Sequence, residues 1–432
     1  MKLRQDSMPE AELNALYDVF HKQPIQKDKI VFNNFHGNGY GCNPKYIAEA
    51  LLSSGQKRDI VWLTNGNVEL PDGIRAVPYH TVEAIKEIAT AQVLVDNVMK
   101  FNGFKKRPDQ YYIQTWHGDL PLKKIGFDNP ANAGAMGYAK RVKVNFGNTD
   151  LVTVNSRFVS ELFRRTFEYQ GEILLQGLPR NEILFQIPDS LREVICDYFN
   201  ISMEKKIILY APTYRDAGDM NPFTMDYQQV LDQLGDEYVM LIRLHPRMKK
   251  YAESLVYTDR IINASSYPDM QELMAVSDIM ITDYSCVMFS FALTRRPVYL
   301  FASDVEEYRK QRDYYFDIYD LPFPLASTTD ELIRFMLSKD RRNYQEKLDQ
   351  FWERIGMHDE GNAAGYVAKW ILERSEDKNV TLKNSDLTFM DNRIRVILLR
   401  ARIKKLIQKR MTSYKNYVRK VKRWIENHAT KA

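Results

Sequence analysis

The chain has 432 residues with a net charge of +5, and 44% of them are hydrophobic and 12% aromatic. That length exceeds one ordinary core and suits two domains of roughly 150–200 residues plus an appendage, while the apolar content excludes extended disorder. Cys42, Cys196 and Cys286 are scattered without CxxC spacing; this excludes a disulfide framework or zinc site and fits a reducing compartment.

From the start, MKLRQDSMPEAELNALYDVF carries charges where a signal peptide needs an apolar core, and no apolar run approaches the length of a membrane span. The chain is therefore expected to be neither exported nor membrane-spanning. Residues 1–28 read as an N-terminal helical segment. Short β-rich runs then alternate with helix-like stretches: KIVFNNF (29–35), IVWLT (60–64), VLVDN (93–97), YYIQTW (111–116), LVTVN (151–155) and ILLQG (173–177). This alternation predicts a parallel α/β domain over 29–186. After a polar helical stretch at 187–200 the pattern restarts with KIILYAPT (206–213), YVMLIRLH (238–245), RIINA (260–264), DIMITD (278–283) and PVYLF (297–301). The restart predicts a second doubly wound domain over 187–375.

The remainder, 376–432, is built differently. Its last forty residues hold fourteen Lys and Arg against the single acid Glu426, which leaves residues 1–392 net acidic. Tyr414, Tyr417, Val418, Val421, Trp424 and Ile425 recur at helical spacing between cations, as in an amphipathic helix lying on an anionic bilayer. A solvated charged helix or a nucleic-acid-binding tail would share that composition. An acidic body argues against a nucleic-acid enzyme, whose cleft must itself be basic.

Open parallel sheets bind ligands at the carboxyl ends of their strands, so polar groups that follow these runs are the site candidates. In QTWHGDLPLKKIG (114–126), His117 could accept a proton near neutral pH beside Gly118, or merely cap a turn. In RLHPR (243–247), Arg243 and His245 share one side of a continuing strand, suited to phosphate oxygens or to a surface ion-pair cluster. ITDYSCVMFSFAL (281–293) reads as strand, turn and helix. There Ser285 could help hold a diphosphate at the helix start, or Asp283 and Ser285 could simply cap the helix. YAPTYRD (210–216) and GLPRNEIL (177–184) end strands with Arg215 and Arg180 close by. No HExxH, paired HxH or DxD cluster occurs, so no tightly bound metal is expected. A soluble divalent cation such as Mg2+ stays compatible.

Together these segments resemble the CDP-glycerol glycerophosphotransferase family of teichoic acid and capsule polymerases and primases. The ordered matches are NGYGCNPKYIAEAL (38–51), QTWHG with PLKKIG (114–126), GLPRN (177–181), YAPTYRD, RLHP, ITDYSCVMFSFAL with RPVYLF (281–301), DVEEY (304–308) and HDEGNAA (358–364). They span about residues 29–372. The resemblance implies a GT-B-type fold: two Rossmann-like domains facing a cleft, with nucleotide held mainly by the second. It places His117 and His245 on two essential histidines, and Arg180, Pro212, Thr213, Arg243 and Ser285 on donor-binding positions. Trp116, Gly118, Cys286 and Ser290 complete the expected donor site.

The implied reaction moves glycerol phosphate from CDP-glycerol to a hydroxyl of a lipid-linked acceptor at the cytoplasmic face of the membrane, releasing CMP. CDP-ribitol is the alternative donor, and a nucleotide-sugar glycosyltransferase or epimerase of the same fold is the rival enzyme. No nucleic-acid partner is expected. The chain departs from the family pattern in two regions. Cys286 stands where a second serine is usual and Ser290 where an aspartate is, and Asp119-Leu120 stand where many members have a threonine before the proline.

Overall fold

A computed structural model of the chain describes residues 10–101, 103–214, 224–245, 248–311, 313–338 and 341–375. Arg215, Pro246, Arg247 and the basic tail lie outside the described residues, so the amphipathic membrane helix expected there has no structural counterpart below.

The first sheet has seven parallel strands: β1 (Gln26–Asn33), β2 (Asp59–Thr64), β3 (Ile74–Pro78), β4 (Ala91–Asp96), β5 (Tyr111–Gln114), β6 (Leu151–Val154) and β7 (Glu172–Leu175), ordered β3-β2-β1-β4-β5-β6-β7. The second has six: β8 (Lys206–Tyr210), β9 (Tyr238–Ile242), β10 (Ile261–Asn263), β11 (Ile279–Thr282), β12 (Val298–Phe301) and β13 (Leu325–Ala326), ordered β10-β9-β8-β11-β12-β13. Pairing is parallel throughout, for example Phe32 with Trp62 and Val95, and Ile208 with Met240 and Ile279. These are two doubly wound sheets of the expected GT-B type. The central strands are apolar on both faces because helices cover both, which is why they read as continuous β-rich runs.

Two strands escape the sequence pattern. β3 sits at an edge with only Ile74 and Val77 buried and ends in a proline. The two-residue β13 is too short to show any period.

In each sheet the strand order reverses between two neighbours, β1 beside β4 and β8 beside β11, and a crevice opens at their carboxyl ends. The two crevices face each other. The domains are joined by an antiparallel bridge between Lys123 and Tyr314, by Lys124 N–H donating to Asp313 O (2.9 Å) and Tyr315 N–H to Leu122 O (2.8 Å). Buried Lys45 adds ion pairs to Asp269 (2.9 Å) and Glu272 (2.6 Å). An apolar cluster continues from Leu120, Phe146 and Phe163 on one side to Met288 and Phe289 on the other.

The last described helix, Ala363–Arg374, returns to the first sheet. Its Val367, Ala368 and Ile371 join the core with Ile30, Phe32 and Trp62. Trp370 packs edge-on to Tyr111 (centroids 5.5 Å apart) and donates to Glu172 Oε2 at 2.9 Å. Replacing Trp370 by Ala should cost ~3–5 kcal/mol, as for other buried aromatics. A urea midpoint matching wild type would show that this helix does not hold the domains together.

Candidate active site between the two sheets

The crevices merge into one cleft of about 1220 Å³. Pockets for a single drug-sized ligand measure roughly 300–1,000 Å³, so this cleft has room for a nucleotide and part of a second substrate. His117, Gly118, Trp116, Arg180, Pro212, Thr213, Arg243, His245, Ser285 and Cys286 all line it. Ser290 does not: it is fully buried behind the wall.

On the first-domain side, β1 ends in Asn33-Asn34 and β4 in Asp96-Asn97. Asn33 Nδ2 donates to Asp96 Oδ1 (2.6 Å), Asn97 Nδ2 to Asn34 Oδ1 (2.7 Å), and Phe35 N–H to Asn97 Oδ1 (2.9 Å). Lys100 neutralises the buried Asp96 at 2.6 Å. This network fixes the Asn97 backbone, whose carbonyl lies 2.7 Å from Nδ1 of His117. A carbonyl can only accept, so Nδ1 carries the proton and Nε2 of the neutral ring keeps its lone pair. Burial lowers the imidazole pKa below its ordinary value, against the raising effect of the Asn97 carbonyl, and nearby Arg180 and His36 lower it further. The ring is therefore neutral at physiological pH and able to take a proton.

The backbone that presents His117 is unusual. Trp116 adopts φ +54°, a left-handed conformation that costs a non-glycine residue ~1–3 kcal/mol unless its surroundings impose it. Gln114 Oε1 accepts from its N–H (3.0 Å) and Asn43 Nδ2 donates to its carbonyl (3.1 Å). The same Asn43 accepts from Arg180 N–H (3.1 Å), which ties the NGYGCNPK, WHG and GLPRN segments together. Gly118 completes the turn, where an added Cβ would sit 3.6 Å from Cys286 Sγ, so the two domains approach closely here.

Arg180 is buried with its guanidinium committed to protein groups. Nη1 donates to His117 O (2.9 Å), and Nη2 to Asp119 Oδ2 and to Ser290 Oγ (3.3 Å). Burial alone would lower its pKa, but Asp119 more than restores it. Its backbone neighbour Asn181 also reaches Asp359 Oδ2 (2.8 Å), whose carboxyl burial pushes up to about 7. That contact is the physical link between the GLPRN and HDEGNAA segments.

On the second-domain side, the Asp283 carboxylate accepts from Thr213 N–H (2.9 and 3.1 Å) and from Tyr284 N–H (2.6 Å). It therefore binds the β8 and β11 loops to each other rather than capping the helix that follows. That helix, Val287–Ala292, has only six residues, with Cys286 at its N-cap making no side-chain capping bond. Ser285 Oγ accepts weakly from Val287 N–H at 3.5 Å. Burial pushes the Cys286 thiol above its usual pKa, so it faces the cleft protonated.

Arg243 donates through Nη1 to the carbonyls of Ala264 (3.2 Å) and Tyr267 (2.5 Å), which orients its fork along the wall. His245 is exposed, with its ring 5.8 Å from that of Tyr214.

Three residues of this arrangement, Asn43, Asn97 and Lys123, were not singled out by sequence, and Asp119 was noted there only as a departure from the family pattern. Lys123 lines the cleft with its ammonium 5.1 Å from the Tyr308 ring, which stacks on Tyr284 at 3.9 Å. Tyr284 in turn donates to Asp304 (2.9 Å), so the DVEEY segment supports the wall. Asn97 ends one of the expected strands and could have been flagged there. The partners of Asp119 lie 36 to 171 residues away, and no local signal announces them.

Comparison with known proteins places this architecture. The family model described as CDP-Glycerol:Poly(glycerophosphate) glycerophosphotransferase matches residues 15–373. A teichoic acid poly(glycerol phosphate) polymerase of Staphylococcus epidermidis is 32% identical over 378 residues, 83% of this chain and 52% of that protein. A teichoic acid poly(ribitol-phosphate) polymerase of Bacillus spizizenii is 28% identical over 378 residues, 84% of this chain and 59% of that protein. The chain thus spans little more than half the length of these relatives. A solved structure of a variant of the wall teichoic acid polymerase TagF with CDPG superposes with a TM-score of 0.77 at 30% identity, covering 85% of this chain and 94% of that one.

The site geometry fixes one spectroscopic outcome. With labelled histidine, NMR at pH 7 should show His117 as the neutral Nδ1–H tautomer, titrating below the ordinary 6.5. An imidazolium at that pH, or an Nε2–H tautomer, would contradict the assignment.

Proposed function

Because the chain belongs to the CDP-glycerol:poly(glycerophosphate) glycerophosphotransferase family, we propose that it transfers glycerol phosphate from CDP-glycerol to a hydroxyl of a lipid-linked acceptor, releasing CMP. The observation that carries this reading is the His117 ring. It is neutral, it is held through Nδ1 by Asn97 O at 2.7 Å, and it lies on the wall of a cleft whose opposite side carries Arg243 and His245.

In the proposed step, Nε2 of His117 takes the proton of the acceptor hydroxyl as its oxygen attacks the phosphorus bearing the polyol. The bond from that phosphorus to the bridging oxygen breaks, and CMP leaves with the electron pair. Phosphoryl transfer depends mainly on positioning and charge neutralisation. Arg243 and His245 supply that at the diphosphate, with Lys123 adding a cation on the acceptor side. Pro212 and Thr213 shape the loop after β8, Trp116 and Gly118 shape the turn at His117, and Ser285 offers a hydroxyl. No resident metal is assigned; a soluble divalent cation such as Mg2+ would arrive with the donor.

CDP-ribitol is the second donor to consider, because one matching relative is a poly(ribitol-phosphate) polymerase and the cleft wall carries a protonated Cys286. The product would be a teichoic-acid-like or capsular polymer. Among the described residues no helix is long and apolar enough to cross a membrane. We assign attachment to an anionic membrane surface to the cationic residues 393–432, which would keep the enzyme peripheral at the cytoplasmic face.

Removing a general base typically costs ~10²–10⁴-fold in rate. His117→Ala should therefore fold with an unchanged melting temperature yet release CMP slower by that factor. Turnover within a few-fold of wild type would remove His117 from the mechanism.

A further inference from the structure

Two of the chain's departures from the family pattern, Asp119 and Ser290, are far apart in sequence and lie on opposite domains, yet the structure puts them in contact. Ser290 sits in the second domain's helix Val287–Ala292 with no exposed surface, and Asp119 is almost as deeply buried two residues after His117. Ser290 Oγ donates to Asp119 Oδ2 and accepts from Arg180 Nη2 at 3.3 Å. Arg180 also pairs with Asp119 and donates through Nη1 to the carbonyl of His117 at 2.9 Å.

A buried helical serine that serves only its own helix bonds to the carbonyl a turn earlier. Ser290 instead makes both of its bonds across the domain boundary. A continuous path of hydrogen bonds therefore runs from the second domain's helix, through one hydroxyl, one carboxylate and one guanidinium, to the peptide that presents the histidine.

We propose that Asp119, Arg180 and Ser290 form an interdomain latch that positions His117 in the cleft. The carboxylate and the hydroxyl face each other across the domain boundary, so exchanging them, with the carboxylate at 290 and the hydroxyl at 119, should preserve the bridge. None of the three is needed as a proton carrier. Arg180 pairs directly with Asp119, and Ser290 bridges them. Ser290 therefore adds nothing to the cleft surface, whereas Cys286 lines it.

The latch rests on the functional reading for its kinetic consequences, but its geometry can be tested without chemistry. The full-length protein and the variants Ser290→Ala, Ser290→Asp and Asp119→Ser/Ser290→Asp would be compared by amide hydrogen exchange over residues 115–122 and 178–182. CMP release from CDP-glycerol and CDP-ribitol would be measured alongside. Ser290→Ala should speed exchange in both segments and lower kcat about tenfold with donor KM within about threefold, since small misplacements act on the chemical step. Ser290→Asp, which sets two carboxylates against one guanidinium, should lower kcat about a hundredfold. The double variant should return to within about fivefold of wild type, the non-additivity expected of groups in contact.

Exchange unaltered in Ser290→Ala would overturn the latch whether or not the protein turns over either donor. So would accelerated exchange with an unchanged kcat, or a double variant no better than Ser290→Asp. Wild-type protein that releases no CMP from either donor would instead overturn the functional reading, and the exchange data would still judge the latch.

Discussion

Asp119 is a carboxylate with almost no access to water, placed two residues beyond the histidine that faces the cleft. A charge in that position is tolerable only if it is paired and its remaining lone pairs are filled. Arg180 supplies the charge, while Asn155, Asn181 and Ser290 supply hydrogen bonds. Removing one partner from such a pair generally costs ~3–5 kcal/mol, so the arrangement is effectively all or none. The loop from Trp116 to Pro121 cannot shift without disturbing it. The same loop carries the left-handed Trp116 backbone, His117 and the Gly118 that closely approaches Cys286.

The two halves of the cleft do different physical work. The first domain spends its polar groups on fixing one imidazole: the asparagines at the ends of β1 and β4 hold a carbonyl, and that carbonyl selects the tautomer. The second domain presents cationic and hydroxylic groups on loops that Asp283 ties together. A base with a defined free lone pair facing a wall that neutralises charge is what an in-line phosphoryl displacement requires. Pairing Lys45 with Asp269 and Glu272 at the boundary keeps the halves in register.

Much of this was legible in the sequence because parallel strands buried on both faces announce themselves as apolar runs, and ligands gather where such runs end. His117, Arg243, His245 and Ser285 were found by that logic and do line one cleft. What stayed hidden depends on long-range contact. Ser290 was expected on the donor surface, but helix geometry turns it toward Asp119. Arg180 was expected at the donor; although it lines the cleft, its guanidinium bonds to protein groups. Asp283 was a choice between helix cap and donor support, and the structure gives its carboxylate to the β8 loop. The edge strands β3 and β13 were missed because one is half exposed and the other spans two residues.

Transfer of a polyol phosphate from a CDP-activated donor in this cleft can be measured with a donor panel on the purified full-length chain. A synthetic lipid-linked acceptor would be incubated with CDP-glycerol, CDP-ribitol and UDP-sugars, and the acceptor then weighed by mass spectrometry. Mass gains in units of a polyol phosphate are expected, matched by CMP release, with CDP-glycerol preferred. Acceptor carrying a sugar from a UDP donor, with no CMP released from either CDP-polyol, would contradict that transfer.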